Sequence, residues 1–473
     1  MKNSTSKPNF LFINTDQQRL DSLGCYGCSV AQTPHIDRLA AEGVRFDQCH
    51  TAQPVCMPAR ASWFTGQYPS HNGCWANGVP LDPASDMIQT RLKAGGYHTA
   101  LIGKIHLDNV WMRSTPHPNY GFDLLQECEG DPYCKDDYFQ WLDEHGLYDD
   151  YLEQFKAGGH FERYVREIPI EFHQNTWLTN HVDDYLRARS EDGQPFFLSA
   201  GFFDPHHPFD PVEPYASRFK AGDMPPPISG DDEAAMTPHA REKRADFREI
   251  CDDPARIGGT IAAFHAMVAH LDDAVGRIMD ALRRHGVEEN TVIIFTSDHG
   301  ELLGDHGMLL KGPFFFDPSI RVPLIWKLPP SMACQGVDTG FTSSVDLAPT
   351  VAALAGVQGP VRTQGQTLFD HEGQLRPTPA RRAALTEWRG ENLHMGAGAP
   401  PTPAVRCLVT EDWKYVHYEG RDFGELYHRH EDPSEIRNRW ADPQHQPVVQ
   451  LLRGELLSFI IENEPLPPKT DQF

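Results

Sequence analysis

Apolar residues along this chain fall into short continuous runs that alternate with stretches of helical periodicity. Residues 9–14 (NFLFIN) form a compact apolar run flanked by polar positions, which predicts a short buried strand. Residues 35–43 put Leu39 and Ala40 on one face and close on Gly43, which predicts a helix. A further helix is predicted over 87–95, with strands over 97–102 and 196–200. Residues 264–284 space Met267, Val268, Leu271, Val275, Ile278 and Leu282 as the inner face of a helix, which leads through Gly286 into a strand over 291–296. One more strand is predicted over 322–326 and one more helix over 345–354.

Such alternation predicts an α/β fold, with a large central, mixed but mostly parallel sheet sandwiched by helices. Two stretches interrupt it. Residues 126–166 are acidic and aromatic and read as an insertion. Residues 221–257 are rich in Pro, Gly and charge and read as a long surface excursion, the kind of segment that borders substrate pockets. Composition shifts again over 357–380 toward Gly, Gln, Pro and Arg. Beyond it lie strand candidates at 405–409, 414–417 and 425–427, then a helix over 448–461. The expected organisation is a catalytic α/β domain over 1–375 and a small C-terminal α+β subdomain over 376–473, an antiparallel sheet with one covering helix.

Composition adds constraints. With 473 residues, 40% hydrophobic and 23% charged, the chain is an ordinary globular one. Its formal net charge of −24 argues against nucleic acid and against anionic lipid as partners. If the substrate is an anion, the long-range field repels it, so the site itself must concentrate positive charge. The ten cysteines are irregularly spaced, which argues against a disulfide scaffold; Cys25 and Cys28 form a lone C-x-x-C and read as loop thiols. No signal segment opens the chain and no run approaches the ~20 apolar residues of a membrane span, so no membrane contact and a cytoplasmic location are expected.

The chemistry-bearing residues gather at predicted strand ends. Asp16 and Gln17 directly follow the first strand, and Asp298 and His299 follow the strand over 291–296. Carboxylates at strand ends of an α/β fold are well placed to hold a metal. Cys56-Met57-Pro58-Ala59-Arg60 continues to Thr65-Gly66; Pro58 suits a first helical turn, so Cys56 sits where backbone N–H groups are free to meet an anion. Positive charge comes from Gly103-Lys104-Ile105-His106, Pro205-His206-His207-Pro208-Phe209 and the run from Gly307 to Lys311-Gly312.

The segment from Cys56 to Gly66 resembles the C-x-P-[S/A]-R signature of sulfatases with its following Thr-Gly. The stretch from Gly96-Tyr97 to Lys104 and His106 resembles the second sulfatase signature. Asp298-His299-Gly300, the Pro-His-x-Pro-Phe run, the Gly-x-x-x-Lys-Gly run and the segment from Glu425-Leu426-Tyr427 to Glu435 match as well. The chain therefore resembles the formylglycine-dependent sulfatases, a branch of the alkaline phosphatase superfamily, over almost its whole length. Gln17 departs from the acidic pair usual after the first strand.

That resemblance implies an alkaline-phosphatase-like sheet and an arylsulfatase-like activity, hydrolysis of a small-molecule sulfate monoester to alcohol and inorganic sulfate. It implies that a formylglycine-generating enzyme oxidises Cys56 to an aldehyde, whose hydrate offers one hydroxyl to attack sulfur and a second to expel sulfate. One divalent cation would be held by Asp16, Gln17, Asp298, His299 and the side chain at position 56; calcium is the first expectation and manganese the alternative. Arg60 would orient the nucleophile, Lys104 bridge nucleophile and sulfate, and His106 orient the nucleophile's hydroxyl. His206 would point at the sulfate, with His207 as spacer, and Lys311 would lie near the leaving group. Asn77 would contact substrate, and His206 or Lys311 would protonate the leaving oxygen.

Two other readings stay open. Phosphonate monoester hydrolases and phosphodiesterases use the same machinery, although that branch places Tyr and Thr where this chain has Lys104 and His106. A non-catalytic binding protein on the same fold is the other. The substrate's alcohol (aryl, choline or sugar) and a homo-oligomeric state are left open too.

Overall fold

The computed structural model describes residues 7–109, 117–158, 161–230, 233–332, 334–376, 381–389 and 404–464. Parts of the insertion over 126–166 and of the excursion over 221–257 lie outside the described residues.

The strands are β1 Asn9–Thr15, β2 Val44–His50, β3 His98–Gly103, β4 Leu124–Glu127, β5 Phe196–Gly201, β6 Thr291–Ser297, β7 Leu324–Lys327 and β8 Gly336–Ser343. They form one sheet in the order β4-β3-β5-β1-β6-β7-β2-β8. β7 runs antiparallel to β6 and β2; every other pairing is parallel. The expected mixed, mostly parallel sheet is therefore present.

β1 lies near the middle of the sheet and is buried on both faces, which is why it is apolar at consecutive positions rather than alternating ones. Leu11 and Ile13 face a core shared with the helices Gln174–Asp192 and Pro254–Arg284, through Trp177, Val182, Leu271 and Val275. Phe10 and Phe12 face a second core with the helices Cys56–Thr65, Ile88–Ala94 and Leu347–Ala355, through Trp63, Phe64, Leu92 and Val351. At ~25 cal/mol per Å² of buried apolar surface, these two layers dominate the stability of the fold.

A second sheet, β9 Ala384–Trp388, β10 Val405–Val409, β11 Trp413–Tyr418 and β12 Gly424–His428, is antiparallel in the order β12-β11-β10-β9. The helix Gln446–Glu462 covers one face through Val449, Leu452, Leu456 and Phe459. The other face packs Trp388, Cys407 and Val416 on Val55, Phe315 and Ile320. Thr386 Oγ1 donates to the Thr51 carbonyl at 2.8 Å and Glu387 N to the Ala52 carbonyl at 2.8 Å, so β9 buttresses the loop that leads to Cys56.

Several expectations change in detail. The stretch 221–257 is no plain surface excursion: it contains the helix Pro238–Cys251, capped by the Thr237 side chain. The long helix expected from residue 264 begins at Pro254, where Asp253 accepts from the N–H groups of Ala255 and Arg256. β2, β8, β9 and the helix Gln174–Asp192 were not expected from the pattern. Residues 126–166 carry two short helices, Asp137–Glu144 and Tyr148–Ala157, whose Tyr138, Phe139 and Leu142 join the first core.

Candidate active site

Four neighbouring parallel strands end on the same edge of the sheet. Thr15 of β1 is paired with Ser297 of β6, so Asp16 and Asp298 leave adjacent strand ends side by side. Gly103 of β3 is paired with Gly201 of β5, which brings Lys104 beside the segment carrying Asp204 and His206. Glycine is required at this pair: a Cβ on Gly103, at φ +103, would lie 2.0 Å from the Gly201 carbonyl oxygen.

The ligating atoms of Asp16, Cys56, Asp298 and His299 all lie within 4.8 Å of one another, and all four residues are buried. Cys56 opens the helix Cys56–Thr65. Its Sγ is 3.2 Å from His299 Nε2 and 3.7 Å from Asp16 Oδ1. His299 Nδ1 faces the Gly300 carbonyl at 2.8 Å, an arrangement that assigns the proton to Nδ1 and turns the Nε2 lone pair toward the cluster. Asp298 Oδ1 accepts from the backbone N–H groups of Gln17 at 3.0 Å and His299 at 2.8 Å.

Arg60, one turn into the helix and buried, ties the carboxylates together. Its Nε donates to Asp298 Oδ2 at 2.8 Å, and a terminal nitrogen reaches Asp16 Oδ2 at 3.4 Å. Asn14 Oδ1 and the Lys104 carbonyl hold the other terminal nitrogen at 3.1 and 3.0 Å. Lys104 Nζ pairs with Asp16 Oδ2 at 2.7 Å and lies 4.7 Å from the centre of the Phe203 ring. Burial opposes ionisation of Asp16, but the charges of Lys104 and Arg60 overcome it and hold its carboxyl well below the usual carboxylate range.

A second group of side chains adjoins the first. Lys311 Nζ donates to Gln17 Oε1 and lies 2.6 Å from His206 Nε2. His206 Nδ1 donates to the His207 carbonyl, which leaves Nε2 as the acceptor. Burial, and then the Lys311 ammonium, push the His206 imidazole well below its usual value, so it is neutral near pH 7. His207 is more than a spacer, because its Nδ1 lies 3.1 Å from Gln17 Oε1. Gln17 is thus held by Lys311, by His207 and by the buried Glu301, which accepts from its Nε2.

Two further expected site residues, Asn77 and His106, make contacts of their own. Asn77 Oδ1 accepts the Met57 N–H at 3.0 Å, so it caps the helix that starts at Cys56. His106 is half-buried, with φ 47, and its backbone N–H donates to Glu129 Oε1 at 3.0 Å. Among the described residues no hydrogen bond joins its ring to Cys56, and its buried Nδ1 has no partner. Asn14, Glu129 and Glu301 are residues of the site that the motifs did not mark.

The sequence profile of the sulfatase family matches residues 8–357 of this chain. The chain belongs to the sulfatase family. A profile described as the C-terminal part of N-sulphoglucosamine sulphohydrolase matches residues 304–462. An uncharacterized sulfatase of Escherichia coli is 31% identical, over 96% of this chain and 87% of its own. An arylsulfatase of Clostridium perfringens is 27% identical, over 95% and 94%. Among solved structures, the phosphonate monoester hydrolase of Agrobacterium radiobacter superposes with a TM-score of 0.81 at 27% identity, covering 96% of both chains. This sulfatase is thus a hydrolase of the alkaline phosphatase superfamily. No helix among its described residues is long and apolar enough to cross a membrane.

Proposed function

We propose that this sulfatase hydrolyses small-molecule sulfate monoesters through a formylglycine made from Cys56 by a separate formylglycine-generating enzyme, beside one divalent cation. The observation that carries the reading is the buried set of Asp16, Cys56, Asp298 and His299 donor atoms within 4.8 Å of one another.

The donor set fits a cation. It offers two carboxylates and a lone pair on His299 Nε2, fixed by the Gly300 carbonyl. Arg60 and Lys104 already balance the two carboxylates. A divalent ion would therefore leave the pocket net positive, ready for an anionic substrate and nucleophile. Asp16, Asp298 and His299 would hold it, with the side chain at 56 and Gln17 Oε1 as further donors. When bound, such an ion polarises the substrate's oxygens and helps ionise the nucleophile. Oxygen donors favour calcium and the His299 nitrogen favours manganese; activity restored by each ion after chelation distinguishes them. A hydrated aldehyde at position 56 supplies two hydroxyls on one carbon, one for attack and one for release.

The chain's own residues do the rest. Arg60 locks Asp16 and Asp298 in place. Lys104 gives the sulfate a positive charge beside the nucleophile. Because His206 is neutral and accepts from Lys311, the transferable proton is on Lys311, which acts as general acid toward the leaving oxygen while His206 orients it.

A second reading, phosphonate monoester or phosphodiester hydrolysis, is supported by the Agrobacterium radiobacter neighbour. Lys104, held against Asp16, weighs for sulfate. An aryl sulfate and an aryl phosphonate monoester assayed side by side, with Cys56→Ala as control, test the choice. Higher kcat/KM on the sulfate, lost in the variant, is expected; preference for the phosphonate overturns it.

A further inference from the structure

The helix Pro238–Cys251 turns His239, Ala240, Lys243, Phe247 and Ile250 inward. Lys243 stands at a position where helical spacing calls for an apolar side chain, and it is only 2% exposed. Among the described residues its ammonium has no hydrogen bond and no ion pair; its near contact is the Phe247 ring, 4.6 Å to the centre. Burial pushes its amine down to about 8, with Glu301 and Asp246 pulling the other way, so it carries its charge at neutral pH.

An ammonium so nearly enclosed and without a protein partner carries a desolvation cost that a bound anion would offset. Its surroundings point to what balances the charge. The helix packs on the loop that carries Lys311: a Cβ on Gly307 would lie 2.9 Å from Arg244 Nε. Lys311 is close enough to disfavour the charged form of Lys243. Phe247 meets Phe161 edge-on at 5.4 Å, Phe161 lies against His207 at 5.8 Å, and His207 stacks on His206 at 4.0 Å. Lys243 therefore adjoins Glu301 and Lys311, and Phe247, Phe161 and His207 link it to His206 on the leaving-group side. The nearby carboxylate of Glu301 is already committed to the Gln17 amide and to the N–H groups of Leu303 and Leu310.

We infer that Lys243 recognises a second negative group, a carboxylate or another sulfate, on the alcohol part of the substrate. The inference rests on the sulfatase reading above. It also bears on the acidity of the chain, since Lys243, Arg244 and Lys311 concentrate positive charge on the leaving-group side.

The test compares three sulfate esters of one phenol scaffold at neutral pH: neutral, carboxylate-bearing and carrying a second sulfate. The wild-type enzyme should prefer at least one charged ester by about tenfold or more in kcat/KM, the scale of a hydrogen bond to a charged group. The two charged esters show which anion is recognised. Lys243→Met should bring the ratio of charged to neutral ester close to one, mainly through KM, and Lys243→Arg should keep part of it. Substrate-free Lys243→Met should melt no lower than wild type. An absent preference in the wild type, a preference that survives in Lys243→Met, or a variant that melts lower or does not fold each overturns the inference, the last by making the ammonium structural. Turnover of the neutral ester with indifference to charge sinks this inference alone; no turnover of any ester sinks the sulfatase reading with it.

Discussion

Cys56 Sγ lies 3.2 Å from His299 Nε2, with the far nitrogen of that ring fixed on the Gly300 carbonyl. A helix start and a strand end thus meet at one pair of atoms, between residues far apart in sequence. The pairing predicts that His299→Ala weakens cation binding by at least about 10- to 100-fold, the scale already seen for outer partners of metal ligands. Metal content after dialysis and activity titrated with added cation check this. Activity and metal content equal to wild type would remove His299 from the cation site.

Arg60 pairs with Asp298 at 2.8 Å in a place without solvent. Burial opposes its charge, but Asp298 and Asp16 raise its pKa above the usual value. Arg60→Ala leaves Asp298 without its ion-pair partner, while Asp16 keeps Lys104, and should cost about 3–5 kcal/mol in metal-free protein. Urea denaturation measures it. Combining Arg60→Ala with Asp298→Ala should cost less than the sum of the two.

Lys311 as proton donor predicts a leaving-group effect. Lys311→Ala should lower kcat about 10²- to 10⁴-fold on esters of weakly acidic alcohols and much less on acidic phenols, which leave without a proton. A plot of log kcat against leaving-group pKa should steepen in the variant. An unchanged slope would assign the proton elsewhere.

The segment carrying His206 has its own pH dependence. Burial pushes the Asp204 carboxyl up to about 7, although Asn175 and Gln174 donate to it at 2.8 Å each. The ordinary value of about 3.9 describes the unfolded chain. Because the folded value is the higher one, folding favours the protonated acid. Stability from this group is full below about 4 and is lost as pH rises to about 7. Asp204→Asn should therefore gain stability relative to wild type across that range, a difference that denaturation at several pH values resolves.

The residues of the candidate site were legible where Asp16, Lys104 and Asp298 directly follow β1, β3 and β6, because local sequence fixes the turn there. What holds them was not. Glu301 meets Gln17 and Asn14 meets Arg60 only through the pairing of distant strands. β2 was obscured because Arg45 and Asp47 pair with each other on one side of the strand and break its apolar pattern. The helix Pro238–Cys251 read as a charged excursion because its inward face carries Lys243 in place of a continuous apolar stripe. His106 shows the opposite limit: the motif names the residue, while its ring turns out to have no bond to Cys56 among the described residues.

The central claim concerns the side chain at position 56 and is tested most directly by mass spectrometry of the peptide containing it, from protein that hydrolyses an aryl sulfate. The account predicts that Cys56 has lost its sulfur and carries an aldehyde or its hydrate. An intact thiol throughout an active preparation would contradict it.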